Sequence, residues 1–95
     1  MPESVHELLI PEAALSKIGA REISADEAEE LLRNRHVIVG NPRAPDASKR
    51  RLLVGRTNGG RFLTLVIEAT VEPTTWLLVT GWSATARERN LLPAA

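Results

Sequence analysis

The chain has 95 residues, a formal net charge of zero and no cysteine. This length predicts a single domain over residues 1–95, with one hydrophobic core. The lack of cysteine excludes disulfides, thiolate catalysis and Cys-ligated zinc, and it fits a reducing cytoplasm. The two histidines, His6 and His36, lack the spacing of a metal site, and no apolar run is long enough to span a membrane. We therefore expect a cytoplasmic protein with no metal, no cofactor and no membrane-spanning segment.

The neutral total hides an uneven distribution of charge. Acidic residues crowd into the first third of the chain, whereas basic residues fill its middle, at Arg43, Lys49, Arg50, Arg51, Arg56 and Arg61. Such a distribution can give a neutral protein a basic face. The alternative is that mixed charges only keep a small domain soluble, and composition alone does not decide between the two.

Two helices are predicted in the N-terminal third. The first runs from Pro11 to Ile18, with proline in its first turn and an end near Gly19. The second begins at a capping box, in which the side chains of Ser24 and Glu27 each bond the backbone N–H of the other residue. Its apolar face consists of Ala28, Leu31 and Leu32.

The rest of the chain predicts strands and one C-terminal helix. A loop is expected over residues 43–48 and a helix from Ser83 to Leu92, and the strands are expected at 37–39, 51–56, 61–68 and 74–80. The fold class is therefore α+β, with N-terminal helices packed on a roughly four-stranded twisted antiparallel sheet and a short helix at the end. The expected core consists of Leu31, Leu32, Val54, Leu63, Leu65, Val66, Leu78 and Val79.

A hairpin turn is predicted at Asn58-Gly59, a pair that tolerates the positive φ of a type I′ turn. A two-residue loop there places Arg56 directly opposite Arg61, and like charges in that position repel each other. A bound anion would offset this repulsion, as would a carboxylate from the first third of the chain or from Glu88. A longer loop would shift the register and remove the argument.

The run from Val79 to Arg89 carries the most chemical information, because an apolar strand leads directly into a helix with an Arg-Glu-Arg group. The N-terminus of a helix offers free N–H groups and a positive dipole to a phosphate. The alternative is a polar helix that only faces solvent. Of the two tryptophans, Trp76 is expected in the core, whereas Trp82 could either stack on a base or pack against the helix.

The order and spacing of these segments resemble the BrnT-like branch of the RelE-type toxins, which belong to bacterial type II toxin–antitoxin systems. The resemblance covers residues 6–92. It is carried by the capping-box segment at residues 20–29 and by an ungapped match at Ala84, Thr85, Arg87, Glu88 and Arg89. The chain departs from the family pattern at three positions, where His, Arg and Tyr are replaced by Arg21, Trp82 and Leu92.

This resemblance implies a ribonuclease toxin that cleaves RNA without a metal, through attack of the ribose 2′-hydroxyl on the adjacent phosphate. The implied catalytic residues are Arg87, Glu88 as base and Arg61, and the implied RNA-binding residues are Arg51, Arg56, Arg89 and Trp82. The implied partners are RNA and a cognate antitoxin with a ribbon-helix-helix or similar DNA-binding part, in a homodimer or a toxin–antitoxin hetero-oligomer.

The three departures leave other functions open. Without the family's imidazole, guanidinium and phenol, the chain could be a catalytically weakened relative that acts as a protein-binding or regulatory module. Arginine does not replace them as an acid, because it scarcely gives up its proton. A purely structural domain is the third alternative.

Overall fold

The computed structural model describes residues 3–41 and 49–93, which form an α+β domain with three helices and a five-stranded mixed sheet. The elements in chain order are β1 Glu7–Leu9, α1 Glu12–Gly19, α2 Ala25–Arg33, β2 His36–Gly40, β3 Arg50–Arg56, β4 Phe62–Ala69, β5 Thr75–Ser83 and α3 Ala86–Arg89. Within this part of the chain, no helix is long and apolar enough to cross a membrane. The loop predicted at residues 43–48 lies outside the described residues.

The sheet has the order β1-β5-β4-β3-β2, and β1 runs parallel to β5 while all other neighbours are antiparallel. The α+β class is therefore confirmed, but the prediction of a four-stranded antiparallel sheet is wrong by one parallel edge strand. The sequence does not reveal β1 because it has three residues, of which only Leu8 is buried. The strand β1 is recognisable only by its pairing with β5, in which Leu8 lies opposite Trp76 and the His6 N–H donates to the Thr74 carbonyl at 2.8 Å.

Both N-terminal helices form close to their predicted positions. Both hydrogen bonds of the predicted capping box are present at the start of α2: the Glu27 N–H donates to Ser24 Oγ at 3.1 Å, and the Ser24 N–H donates to Glu27 Oε1 at 3.1 Å. Ala28 and Leu31 are fully buried against the sheet, whereas Leu32 is half-buried at its margin.

The main core lies between the two helices and one face of the sheet. Six of the eight predicted core residues are buried. Leu31, Leu63, Leu65 and Leu78 belong to this main core, whereas Val54 and Val66 are buried on the other face of the sheet. Val79 is half-buried because of a bulge in β5: Thr80 pairs with Val66 and Leu78 with Ile67, so Val79 has no residue opposite it.

The hairpin between β3 and β4 has a longer loop than predicted. The Thr57 N–H donates to the Arg61 carbonyl at 2.8 Å, the Gly60 N–H donates to the Thr57 carbonyl at 3.0 Å, and Gly60 has φ +90. These bonds define a three-residue loop with glycine in the left-handed position, in place of a type I′ turn. Arg56 consequently lies opposite Phe62, and the predicted repulsive pair of Arg56 with Arg61 does not exist.

The C-terminal helix is shorter than predicted. β5 continues to Ser83, and the Ala84 N–H still donates to the Phe62 carbonyl at 3.0 Å, so the chain stays extended where a helix was expected. The four-residue α3 then starts at a second capping box, formed by Thr85 and Glu88. This start places Arg89 and Glu88 on the sheet face that the two N-terminal helices leave uncovered.

Candidate functional site

Two arginines meet at the ring of the single phenylalanine, on the sheet face opposite the N-terminal helices. Arg56 ends β3 directly across from Phe62, and the turn into α3 brings Arg89 to the same ring. The Cζ atoms of Arg89 and Arg56 lie 4.6 Å and 5.9 Å from the ring centroid, within the range of cation–π attraction. Both arginines are exposed, and Phe62 is half-buried. We refer to these three residues as the Phe62 cluster.

Among the open cavities that border the Phe62 cluster, two are lined by Arg56. One, of about 240 Å³, is lined by Arg35, Arg56, Phe62, Leu92 and Pro93. The other, of about 370 Å³, is lined by Asn34, Arg35, Arg56, Thr57 and Asn58. Arginine supplies all the formal charge in both linings, and the first also has an apolar floor. This surface therefore suits a ligand that combines negative charge with a flat apolar group.

Glu88, the predicted base, has its carboxylate enclosed by hydrogen bonds. Oε1 accepts from Thr64 Oγ1 at 2.9 Å, from Trp82 Nε1 at 3.1 Å and from the Thr85 N–H at 2.9 Å. Burial raises the pKa of Glu88, but these bonds outweigh that effect, so its pKa lies below the ordinary value. A carboxylate that is both hydrogen-bonded and acidic is a poor acceptor for a substrate proton.

Arg61, another predicted catalytic residue, is bound within the fold. Its Nη1 donates to the Glu22 carbonyl at 2.6 Å and to Glu27 Oε1 at 3.2 Å, and its Nη2 donates to the Arg21 carbonyl at 3.2 Å. The guanidinium thus fastens the α1–α2 loop to the hairpin. Its carboxylate partner, Glu27 of α2, lies in the first third of the chain, which was one of the sources that the sequence analysis considered for a carboxylate beside this hairpin.

The other predicted site residues lie outside the Phe62 cluster. Arg51 lies at the far end of β3 from Arg56, where its Nε donates to Glu3 Oε1 at 3.0 Å. Arg87 is exposed on α3, and Trp82 is half-buried with its indole N–H donating to Glu88.

At the three departures from the family pattern, the side chains have separate roles. Arg21 donates to the Gly81 carbonyl at 2.9 Å, and Leu92 lines the smaller cavity beside Phe62. Trp82 is the indole that bonds Glu88. Leu92 therefore borders the Phe62 cluster, whereas Trp82 lies opposite Thr64 on the same face of the sheet.

The Phe62 cluster thus contains two of the seven predicted site residues, Arg56 and Arg89, and the structure adds Phe62 and the neighbouring Arg35 to them. Two others, Trp82 and Glu88, bond each other outside this cluster. Sequence reasoning missed Phe62 because the two-residue loop placed Arg61 opposite Arg56. The second glycine after Asn58 was the available signal for a longer loop. Among residues 3–41 and 49–93, no group of three His, Cys, Asp or Glu side chains could hold a metal ion.

No protein-family model, no curated protein and no solved structure matches this chain.

Proposed function

We propose that this chain is an RNA-binding relative of the RelE-type and BrnT-like toxins, which holds single-stranded RNA at the Phe62 cluster and has little or no ribonuclease activity. The observation that carries the proposal is the pair of exposed guanidinium groups at 4.6 Å and 5.9 Å from the Phe62 ring. The toxin-like fold itself remains part of the proposal and rests on the sequence resemblance.

The chemistry of the cluster favours RNA over other anionic ligands. Guanidinium groups bind phosphate oxygens through two parallel N–H bonds and also stack on flat rings. Proteins that bind single-stranded RNA combine such positive charge with an aromatic side chain on which a base can stack. The apolar cavity of about 240 Å³ beside Phe62 gives an unpaired base room next to the two arginines.

We expect weak catalysis because the residues that would transfer protons are poorly suited to do so. Cleavage by the 2′-hydroxyl needs a base to remove its proton and an acid to protonate the leaving oxygen. Glu88 is unsuited as the base because its carboxylate accepts three hydrogen bonds and its pKa is lowered. Arg61 is bonded to Glu27 and two carbonyl oxygens, and arginine keeps its proton in any case. Of the implied catalytic set, this leaves only Arg87.

An RNA-binding experiment tests the proposal directly. Binding of a fluorescently labelled single-stranded RNA is measured over a salt series for the wild type, Arg56→Ala, Arg89→Ala and Phe62→Leu. Each arginine variant is expected to bind more weakly, with a salt slope shallower by about 0.7 for each phosphate that is no longer neutralised. Phe62→Leu is expected to weaken binding and leave the slope unchanged. The matched control is Arg50→Ala, an exposed arginine at the other end of β3 that pairs with Glu68.

Equal RNA affinity in the wild type and both arginine variants would refute the RNA-binding site. A cleavage assay on the same RNA tests the catalytic half of the proposal, with no products expected from the wild type. If the wild type cuts RNA and Glu88→Gln does not, Glu88 is a working base and the protein is a ribonuclease toxin.

The partner proposal follows from the same surface. A toxin relative in the bacterial cytoplasm that keeps this basic surface would still bind an antitoxin there, and we expect an acidic segment of that antitoxin to cover the Phe62 cluster. The antitoxin would also carry a ribbon-helix-helix or similar DNA-binding part. Co-expression with the product of the adjacent gene should give a complex that Arg56→Ala and Arg89→Ala weaken. A chain that purifies alone from this co-expression argues against the antitoxin partner.

A further inference from the structure

We infer that the turn Asn58-Gly59 is a self-modifying site, at which Asn58 loses ammonia and becomes a carboxylate that weakens anion binding at Arg56. The covalent step stands independently of the proposed function, whereas its effect on RNA rests on that function. The inference depends on two observations: the hydrogen bonding around the Asn58 side chain, and the cavity that Asn58 shares with Arg56.

The reaction is intramolecular and needs only water. The backbone nitrogen of Gly59 attacks Cγ of Asn58 and loses its proton, so that a new C–N bond closes a five-membered ring. The bond from Cγ to Nδ2 breaks, and the side-chain nitrogen leaves as ammonia. Water then opens the resulting succinimide at either carbonyl, which gives aspartate or isoaspartate, and no oxidant or reductant is involved.

The nucleophile is accessible. Asn58 and Gly59 are both exposed, and the Gly59 N–H donates no hydrogen bond within the described part of the chain. The attack requires the peptide between the two residues to rotate out of the turn. Glycine permits this rotation because it has no Cβ.

The electrophile is polarised by a neighbouring side chain. Asn34 Nδ2 donates to Asn58 Oδ1 at 2.9 Å and to the Arg56 carbonyl at 2.8 Å, which fixes the amide donor against the hairpin. Oδ1 is the oxygen that gains negative charge when Gly59 attacks. A donor already placed at that oxygen stabilises the charged intermediate, as in an oxyanion hole.

The product changes the charge of the candidate site. Asn58 and Arg56 line the same open cavity of about 370 Å³, so the new carboxylate shares that cavity with one of the two arginines proposed to bind RNA. It also lies near Glu30, whose Oε1 accepts from the Asn58 N–H at 2.9 Å. Repulsion between these two carboxylates weakens the tie of the hairpin to α2, while attraction to Arg56 competes with RNA.

The test is to age the folded protein at mildly alkaline pH and to follow Asn58 by peptide mass spectrometry and isoaspartate labelling. Asn58 is expected to be modified for the most part while Asn90, an exposed asparagine followed by leucine, stays intact. The matched control is Gly59→Ala. A Cβ at Gly59 meets only Thr57 Oγ1, at 3.9 Å, and the residue has no positive φ, so this variant folds while its methyl group hinders the attack.

An unmodified Asn58 in the aged folded protein would overturn the inference, as would equal modification in Gly59→Ala. The effect on RNA is read separately, with Asn58→Asp expected to bind RNA several-fold more weakly and with a salt slope shallower by about 0.7. If Asn58 is modified but Asn58→Asp binds RNA as the wild type does, the covalent site stands and the RNA-binding function fails at this cavity.

Discussion

Replacing Arg61 with alanine should destabilise the protein far more than replacing Arg56, the other arginine of this hairpin end. The Arg61 guanidinium makes charged hydrogen bonds to the Glu22 and Arg21 carbonyls and an ion pair with Glu27, whose side chain is 28% exposed against 33% for Arg61. Each charged hydrogen bond contributes about 1.5–3 kcal/mol when sheltered, and the partly exposed ion pair contributes up to about 1 kcal/mol. Because water can replace some of these partners, we expect Arg61→Ala to lower the free energy of unfolding by about 2–4 kcal/mol.

Urea denaturation followed by circular dichroism measures this loss, with Arg56→Ala as the matched control from the same hairpin. Arg56 contributes one exposed cation–π contact, so the control should lose about 0.5–1 kcal/mol. Glu27→Gln keeps both carbonyl partners of Arg61, so its loss in free energy of unfolding should lie between those of Arg61→Ala and Arg56→Ala. The reasoning is refuted if Arg61→Ala lies within about 0.5 kcal/mol of the wild type, or if it loses no more than Arg56→Ala.

Three further predictions concern single residues. The pKa of Glu88 is lower in the folded protein than in the unfolded chain, so its carboxylate stabilises the fold above the pKa of the unfolded state, and this stability is lost as the pH falls through the pKa of the folded state. The free energy of unfolding, measured at decreasing pH, should show this loss in the wild type and not in Glu88→Gln. Glu22 has φ 60, so Glu22→Gly should raise the melting temperature by relieving about 1 kcal/mol of backbone strain. Gly81→Ala places a Cβ 2.7 Å from Leu65 Cδ2 and should cost about 1–3 kcal/mol. Its control in the same melts is Gly19→Ala, where the added Cβ meets nothing within 4 Å and no loss is expected.

Features set by a few neighbouring residues could be predicted from the sequence. The capping box at Ser24 and Glu27 is one, because its bonds join residues three positions apart. The same pattern occurs at Thr85 and Glu88, but the prediction started the helix at Ser83, since the apolar run gave no sign that β5 continues that far.

Features that depend on distant contacts could not be predicted. Whether Arg61 binds a phosphate or Glu27 depends on how α2 packs beside the hairpin, and the two residues are 34 positions apart. The identity of the residue opposite Arg56 depends on a single extra loop residue, because a one-residue change in register moves every side chain to the other face. Phe62 became the centre of the candidate site for that reason alone.

The parallel strand β1 has a consequence for the solubility of the chain. Its three residues cover the backbone edge of β5 that would otherwise be open along Thr75, Trp76 and Leu77. An open edge beside apolar side chains is a template on which another chain can add a strand. The N-terminal segment is fixed there by the Trp76 indole N–H, which donates to the Ser4 carbonyl at 3.1 Å, and by the ion pair of Glu3 with Arg51. A few residues at the start of the chain thereby protect the sheet against edge-to-edge aggregation.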